Sequence, residues 1–273
     1  MLIDENIHNQ LREQYNPDGS ELRSLQLHLL DILIDFDRIC RNNGIEYWLE
    51  YGTLIGAARH GGFIPWDDDL DVSIRKKDHK RLVQALKKDM PSNYYFIDAD
   101  SKEVCTRRWG KLFNKNVSVL RNVDNPKGQG GSEMTKENIW LDVFYLINGT
   151  KPMSIKVNSF FGRCYRRKYR IIEDGWFNHM TGVILYPVAK IVVWAAKLYG
   201  RLFRRGVLIN DYGTTYHSQR LTEDLFPLMD IEFEGHTFKA PHNIDHYLSA
   251  MWSDWKTIPQ VKANHGIIKI VTD

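Results

Sequence analysis

Cysteine is scarce in this sequence, and the few cysteines lie far apart. The 273 residues include three, Cys40, Cys105 and Cys164, with no Cys-x-x-Cys pair. This spacing excludes a disulfide framework and the common cysteine zinc sites, and it is typical of a reducing compartment. The N-terminus has neither a basic segment nor an apolar core. We therefore expect no signal peptide and predict a cytoplasmic protein.

Long apolar runs and a strong charge of one sign are also lacking. The longest apolar run, residues 183–196, contains Pro187 and Lys190. It is shorter than the about 20 residues that cross a bilayer, so we expect no membrane span. The formal net charge of +3 is too small to indicate nucleic-acid binding, and no nucleic-acid partner is predicted.

The composition is that of an ordinary folded protein, with 43% hydrophobic and 26% charged residues. Apolar residues at helical spacing follow a candidate N-cap at Ser20, and a second helix is predicted over 78–90. Period-two patterns predict strands at residues 45–50, 70–74 and 139–147, and residues 231–238 resemble a hairpin around Glu234 and Gly235. A flexible loop is expected over 122–136, and helices prevail after Pro152. The pattern predicts an α+β fold, with a mixed sheet first and helices added in the second half.

Four carboxylates occupy five positions, at Asp67, Asp68, Asp69 and Asp71. If they lie on a strand, Asp67, Asp69 and Asp71 share one face because side chains alternate. Three converging carboxylates form a site for a hard divalent cation, whereas Asp68 would be solvated or structural. A calcium loop of the EF-hand type is excluded, because it needs Gly and Glu where this chain has Val72 and Asp78. A merely solvated acidic loop is disfavoured by the flanking strand formers.

Residues 47–72, which contain these acids, resemble the LicD family of bacterial phosphocholine transferases and, more distantly, fukutin-related ribitol-phosphate transferases. Gly52 and Thr53 match the family's turn, and Asp67, Asp69 and Asp71 match its Trp-Asp-x-Asp-x-Asp form. Asp142, far along the chain, matches the third acid. A second similar stretch follows Leu225, so the resemblance covers residues 25–145 and 221–260.

The resemblance implies a polymerase-β-like nucleotidyltransferase core, with a mixed sheet flanked by helices and a helical insertion. It implies Asp69, Asp71 and Asp142 as catalytic residues. The same three acids and Asp67 would bind Mg²⁺, with Mn²⁺ as the alternative. The implied reaction moves a phospho-alcohol from a CDP-linked donor to a hydroxyl of a glycan or a lipid-linked glycan. Asp142 would be a metal ligand or the group that takes the hydroxyl's proton.

Phosphate contacts are expected from five further residues near the motif. Gly52 and Thr53 would bring backbone N–H groups to the phosphates at a helix N-terminus. Arg59, His60 and Lys111 are candidates for direct contact.

The predicted domains are a catalytic core over 1–150, an insertion over 151–220 and a C-terminal part over 221–273. Basic residues flank the apolar run of the insertion, which leaves two interpretations of residues 151–205 open. One is peripheral contact with the inner face of a membrane, and the other is an internal helical hairpin.

Two other functions remain as alternatives. A metal-dependent glycosyltransferase would use the Asp-x-Asp pair to bind a nucleotide sugar, but it does not need the Gly-Thr turn or Asp142. A non-catalytic nucleotide or metal binder is disfavoured because the expected acids are all present.

Overall fold

The computed structural model describes residues 3–97, 109–124, 132–169, 175–260 and 267–272. The helices are α1 (Glu5–Tyr15), α2 (Glu21–Asn42), α3 (Tyr51–His60), α4 (His79–Asp89), α5 (Lys151–Lys168), α6 (Trp176–Phe203), α7 (Thr222–Leu225) and α8 (Ile244–Ser249). The strands are β1 (Tyr47–Leu49), β2 (Asp71–Arg75), β3 (Tyr94–Ile97), β4 (Gly110–Asp124), β5 (Ser132–Asn148), β6 (Val207–Asn210), β7 (Gln219–Leu221), β8 (Met229–Phe233), β9 (His236–Ala240) and β10 (Ile267–Thr272).

The described strands form one eight-stranded sheet and a separate hairpin. The main path of the sheet is β1-β2-β5-β4-β10, with β3 beside β4 and β6 and β7 beyond β5. The pairing of β2 with β5 is parallel, and the other pairs are antiparallel. The predicted α+β architecture, a mixed sheet flanked by helices, is confirmed. The polymerase-β-like topology stays a prediction.

Helix α2 covers the sheet because its apolar residues recur on one face. Ser20 caps it by accepting a hydrogen bond from the backbone N–H of Arg23, as predicted. The residues of the buried face include Leu25, Leu29, Ile32, Leu33, Phe36 and Ile39. Burying each such side chain contributes about 1.5–3 kcal/mol, so this face anchors the helix on the core. Gly44, at a φ of +60°, follows the end of the helix.

A flexible loop was expected over residues 122–136, but both ends of this range belong to strands, so the expectation was wrong there. β4 continues to Asp124 and β5 already begins at Ser132, with Asn122 opposite Met134. Residues 125–131 lie outside the described part. The pairing extends past the core because backbone hydrogen bonds continue along two long antiparallel strands. The polar side chains there gave no apolar alternation that would reveal it.

The segment over 151–220 contains more than helices. α5 and α6 form a helical hairpin, but β6 and β7 return to the main sheet beside β5. α6 has 28 residues and is long and apolar enough to cross a membrane by length and composition. The expectation of a run too short for this was wrong. It considered only residues 183–196, whereas the helix continues through Pro187 and beyond both ends of that run.

The C-terminal part packs against α3. The predicted hairpin is confirmed as β8 and β9, with Glu234 and Gly235 at positive φ in its turn. Glu234 accepts a hydrogen bond from the backbone N–H of Phe63 and forms an ion pair with Arg23. These contacts connect the hairpin to α2 and to the segment between α3 and the acidic motif.

Candidate active site

Two of the predicted acids meet on adjacent parallel strands. Asp71, the first residue of β2, lies opposite Asp142 of β5 in the register of the sheet. The backbone N–H of Asp142 also donates to the carbonyl of Leu70. Neighbouring strands are about 4.8 Å apart, so these carboxylates share a small volume. Both residues are 8% exposed, and water therefore stabilises their charges only weakly.

The other acids of the motif precede the strand. The backbone N–H of Asp67 donates to the carbonyl of Ile64 in a turn, and β2 begins only at Asp71. The alternation argument was therefore wrong for Asp67 and Asp69, because Pro65 belongs to a turn and the chain is not yet a strand. The turn nevertheless gathers the acids. Ligand oxygens of Asp67, Asp68 and Asp69 all lie within 4.8 Å of one another.

Asp68 has a structural contact. It forms an ion pair with Arg121 of β4, and its side chain is only 9% exposed. Of the two roles that the sequence left open for Asp68, solvated or structural, the structure shows the second. The pair ties the acidic turn to the long β4–β5 hairpin.

Two of the acids, Asp67 and Asp71, have a raised pKa. Burial raises the pKa of Asp71 well above its usual value, and the charges of Asp69 and Asp142 raise it further. The pKa of Asp67 is likewise raised, first by burial and then by Asp69 and Asp68. Carboxylates in such a cluster are stabilised by a proton or by a cation. A set of closely spaced carboxylate oxygens fits a hard divalent ion such as Mg²⁺.

The first turn of α3 lies against these acids. The hydroxyl of Thr53 accepts a hydrogen bond from the backbone N–H of Asp71 at 2.8 Å. A Cβ at Gly52 would lie 2.7 Å from a carboxylate oxygen of Asp67, so any larger residue would displace that carboxylate. Gly52 and Thr53 thus bring the N-terminus of α3 to the acidic turn. Their predicted phosphate contacts stay a prediction.

Two hydrogen-bond donors and one cation surround the carboxylate of Asp142. Its Oδ1 accepts from the indole N–H of Trp109 at 2.7 Å, and Lys111 Nζ lies 3.1 Å from the same oxygen. Its Oδ2 accepts from the indole of Trp140 at 3.0 Å. Lys111 also lies over the Trp140 ring, 3.6 Å from its centre. Lys111, a predicted phosphate ligand, is thus an ion-pair partner of Asp142.

Replacing Trp140 with phenylalanine tests the importance of this orientation. Phenylalanine keeps an aromatic face for Lys111 and removes the N–H that Asp142 accepts from, together with part of the volume of the indole. Loss of a group that orients an active-site ligand typically lowers activity about 10–100-fold, and we expect kcat to fall by that factor. Steady-state kinetics measures it, with Trp176→Phe, at an exposed site on α6, as the control. An unchanged kcat would show that this hydrogen bond is dispensable.

Arg59 and His60 contact the protein itself. The guanidinium of Arg59 donates to the backbone carbonyls of Trp255 and Thr257 at 2.7 and 2.9 Å. His60 Nε2 accepts from Arg59 Nε, and its Nδ1 lies 3.2 Å from Nδ1 of His8. Both residues are buried. These contacts fasten α3 to the C-terminal part and to α1, and a phosphate contact from either residue stays a prediction.

The buried His60 should make stability depend on pH. Burial lowers its pKa to about 3, and the charges of Arg59 and His8 act in the same direction. The unfolded chain, in which a histidine has a pKa of about 6.5, then binds more protons than the folded chain between these values. His60 therefore destabilises the fold progressively as pH falls from about 6.5, by up to about 1.4 kcal/mol per pH unit.

Urea unfolding of His60→Asn and wild type at several pH values measures this effect. Asparagine can still accept from Arg59 but does not titrate, so the wild type should lose more stability on acidification than the variant. The raised pKa values of Asp67 and Asp71 have the opposite sign, but they affect both proteins equally. His236→Asn, at an exposed position, is the control. Parallel pH profiles for wild type and His60→Asn would contradict the assignment.

An aromatic cluster lies beside Asp142. The rings of Tyr51, Phe144, Tyr216 and Trp252 contact one another, and Trp109 stacks on Phe144 with ring centres 5.3 Å apart. Tyr51 has a φ of 46°, which is rare for a residue other than glycine and is common at functional sites. Tyr216 and Trp252 come from distant parts of the chain, and no local pattern in the sequence points to them.

Comparison with known proteins finds a family match in the region that contains these acids. A family model described as "LicD/FKTN/FKRP, nucleotidyltransferase domain" matches residues 44–151. The matched range contains α3, the acidic turn and the strands that carry Asp71 and Asp142. Residues 44–151 thus match a LicD-family domain, and similar proteins include a LicD cholinephosphotransferase and FKRP. The resemblance inferred from the motif is thereby confirmed.

Proteins similar to this chain are found in bacteria and in animals. The lipopolysaccharide cholinephosphotransferase LicD of Haemophilus influenzae is 26% identical over 254 residues, covering 87% of this chain and 92% of that protein. The human ribitol 5-phosphate transferase FKRP is 60% identical over 35 residues, 13% of this chain and 7% of that protein. An uncharacterized Rickettsia prowazekii protein, RP689, is 34% identical over 101 residues, 36% of this chain and 38% of that protein.

The Haemophilus similarity also bears on residues 151–220. From the sequence alone, the resemblance covered only residues 25–145 and 221–260. Because 87% of the chain is aligned with that protein, the alignment must continue into 151–220. The similarity between this chain and the Haemophilus protein is therefore not confined to the acidic core.

Proposed function

We propose that this protein is a magnesium-dependent transferase that moves a phospho-alcohol from a CDP-linked donor to a sugar hydroxyl. The acceptor would be a cell-surface glycan or its lipid-linked precursor, modified in the cytoplasm or at the inner face of the membrane. The observation that carries the proposal is the placement of Asp71 and Asp142 side by side, next to the acidic turn. The names of two relatives, a cholinephosphotransferase and a ribitol 5-phosphate transferase, support the class of group that is moved.

Asp67, Asp69, Asp71 and Asp142 are the residues that we propose to hold the cation, with Mn²⁺ as an alternative to Mg²⁺. The raised pKa values of Asp67 and Asp71 support this assignment, because a cation would relieve the repulsion among these carboxylates. A bound divalent ion would neutralise negative charge on the donor's phosphates.

Besides binding a cation, the site would position the phosphates of the donor and the hydroxyl of the acceptor. Phosphoryl transfer depends mainly on alignment and charge neutralisation, and little on covalent catalysis by the protein. The N-terminus of α3, held at the acidic turn by Gly52 and Thr53, would offer N–H groups to phosphate oxygens. Each carboxylate oxygen has about two acceptor positions. On Asp142, Trp109 occupies one on Oδ1, where Lys111 forms an ion pair, and Trp140 occupies one on Oδ2. The one left on Oδ2 would accept a cation or the hydroxyl's proton.

Nucleotide release tests the proposal. Purified protein is incubated with Mg²⁺, a panel of CDP-linked alcohols (choline, ribitol, glycerol) and surface glycan or its lipid-linked precursor. We expect CMP release from one donor, dependent on the acceptor and abolished by chelation of the metal. Release of a nucleoside diphosphate from nucleotide sugars would instead indicate a glycosyltransferase. Nucleotide binding with no release from any donor would contradict an enzymatic role.

A further inference from the structure

Helix α6 exposes an apolar face to solvent. Only 17% of its most apolar stretch is buried. Ile184, Ile191 and Trp194 are 64%, 63% and 65% exposed, and they lie on one side of the helix by its 3.6-residue repeat. The same side also carries Trp176, Met180, Val188, Leu198 and Leu202, all exposed. A continuous apolar patch of this kind marks a surface that binds something.

The opposite face fixes α6 to the rest of the protein. A Cβ at Gly182 would lie 2.4 Å from the backbone nitrogen of Lys168, and one at Gly200 would lie 1.9 Å from the carbonyl oxygen of Asn148. Ala189 and Ala196, at intermediate positions on this face, are buried. α6 is therefore packed along its length, and its apolar face points outward from a fixed position.

A basic cleft adjoins the same helix. Its volume is about 680 Å³, and six of its lining residues are cations: Arg75, Lys76, Lys77, Lys197, Arg201 and Arg205. Asp211 forms an ion pair with Lys197 at 2.6 Å, which leaves a surplus of positive charge. Lys197 and Arg201 project from α6 along one edge of the apolar face, and Lys190 precedes them on the same edge. Positive charge thus borders the apolar surface.

We propose that the outer face of α6 docks on the surface of an anionic lipid bilayer, and that the basic cleft binds lipid phosphate groups. An exposed apolar face bordered by Lys and Arg is complementary to such an interface, where acyl chains lie beneath negative headgroups. The helix lies in the plane of the interface. Crossing the bilayer would bring Arg163, Arg166 and Arg167 of the packed helix α5 towards the hydrocarbon.

The cleft lies near the candidate active site. Arg75 is four residues beyond Asp71 on β2, and Leu146, which also lines the cleft, is four residues beyond Asp142 on β5. At the strand rise this is about 13 Å. A bilayer bound at the cleft would therefore hold lipid headgroups near the carboxylates. The docking itself does not depend on the reaction proposed above.

Sedimentation with lipid vesicles tests how much the basic residues contribute to membrane binding. We expect the protein to bind vesicles of phosphatidylcholine mixed with phosphatidylglycerol, and to bind phosphatidylcholine alone much more weakly. Arg201→Glu combined with Arg205→Glu should weaken binding to the mixed vesicles at least about tenfold. Lys87→Glu combined with Lys88→Glu makes the same charge change at exposed positions on α4 and should leave binding unchanged. No binding by wild type, or equal binding by both double variants, would overturn the proposal.

A second pair of variants tests how much the apolar face of α6 contributes to vesicle binding. Ile191→Gln combined with Trp194→Gln should also weaken binding to the mixed vesicles, whereas Leu27→Gln, at an exposed apolar position on α2, should not. All these positions are exposed, so the variants should unfold at the temperature of wild type, which thermal melts check. Sedimentation equilibrium without lipid gives a second readout. If the Ile191/Trp194 variant abolishes self-association and still binds vesicles, a second copy of this chain covers the face and the proposal is wrong.

Discussion

Replacing Asp71 with asparagine should abolish transfer and raise the melting temperature. The side chain is isosteric, so the start of β2 and the bond to Thr53 should persist. Burial and the charges of Asp69 and Asp142 raise the pKa of Asp71, which means that its ionised form is unfavourable in this site. Removing that charge relieves the repulsion, and we expect Tm to rise by about 2–4 °C. The same change removes a proposed metal ligand, and activity should fall by about 10³-fold.

Calorimetry and the nucleotide-release assay measure both effects on the same preparation. Asp69→Asn should also abolish transfer, because Asp69 belongs to the same cluster. Asp31→Asn removes an exposed carboxylate from α2 and should change neither activity nor Tm appreciably. A fully active Asp71→Asn protein would refute the assignment of Asp71 as a ligand. A lower Tm would show that the charge of Asp71 is already neutralised within the protein.

Replacing Arg220 with methionine should destabilise the fold by about 3–5 kcal/mol. Arg220 and Glu50 form an ion pair at 3.0 Å in which both side chains are fully buried. Glu50 also accepts from the Trp48 indole and the Tyr247 hydroxyl. Methionine would leave the carboxylate of Glu50 buried without its cation, and an unpaired buried charge is strongly unfavourable.

Chemical denaturation measures the free energy of unfolding of each variant. Glu50→Gln combined with Arg220→Met should recover part of the loss, because the glutamine is neutral and can still accept from Trp48 and Tyr247. Arg38→Met removes one partner of the exposed Arg38–Asp35 pair and should cost no more than about 1 kcal/mol. If Arg220→Met lost as little as Arg38→Met, this ion pair would not stabilise the link between β7 and the start of α3.

The sequence predicted those helices and hairpins whose capping, apolar or turn residues lie within a short stretch of the chain. Helix α2 was recognisable from its cap and its apolar repeat, and the β8–β9 hairpin from Glu234 and Gly235. The long β4–β5 hairpin was missed in part because most of its outer residues are polar and show no sustained alternation. Hydrogen bonding between two backbones, which is independent of side-chain polarity, extends it.

The acidic residues of the site could be predicted from the sequence, but the residues that pair with them and position them could not. The motif pointed to Asp71, and the family resemblance pointed to Asp142. Arg59 was predicted from the motif as a phosphate ligand, but its guanidinium donates to the backbone carbonyl of Trp255. The ion pair of Lys111 with Asp142 and the buried pair of Arg220 with Glu50 depend on how distant strands and helices pack. Such contacts leave no periodic signal in one sequence.

Divalent-cation binding tests the account most directly. Mn²⁺ is titrated into wild type and into Asp69→Asn/Asp71→Asn, in the presence of CMP, and free Mn²⁺ is followed by electron paramagnetic resonance. We expect saturable binding by wild type, displacement by excess Mg²⁺, and loss of binding in the folded double variant. Equal binding by both proteins, or no binding by wild type, would contradict the claim that these carboxylates form the metal centre of a transferase.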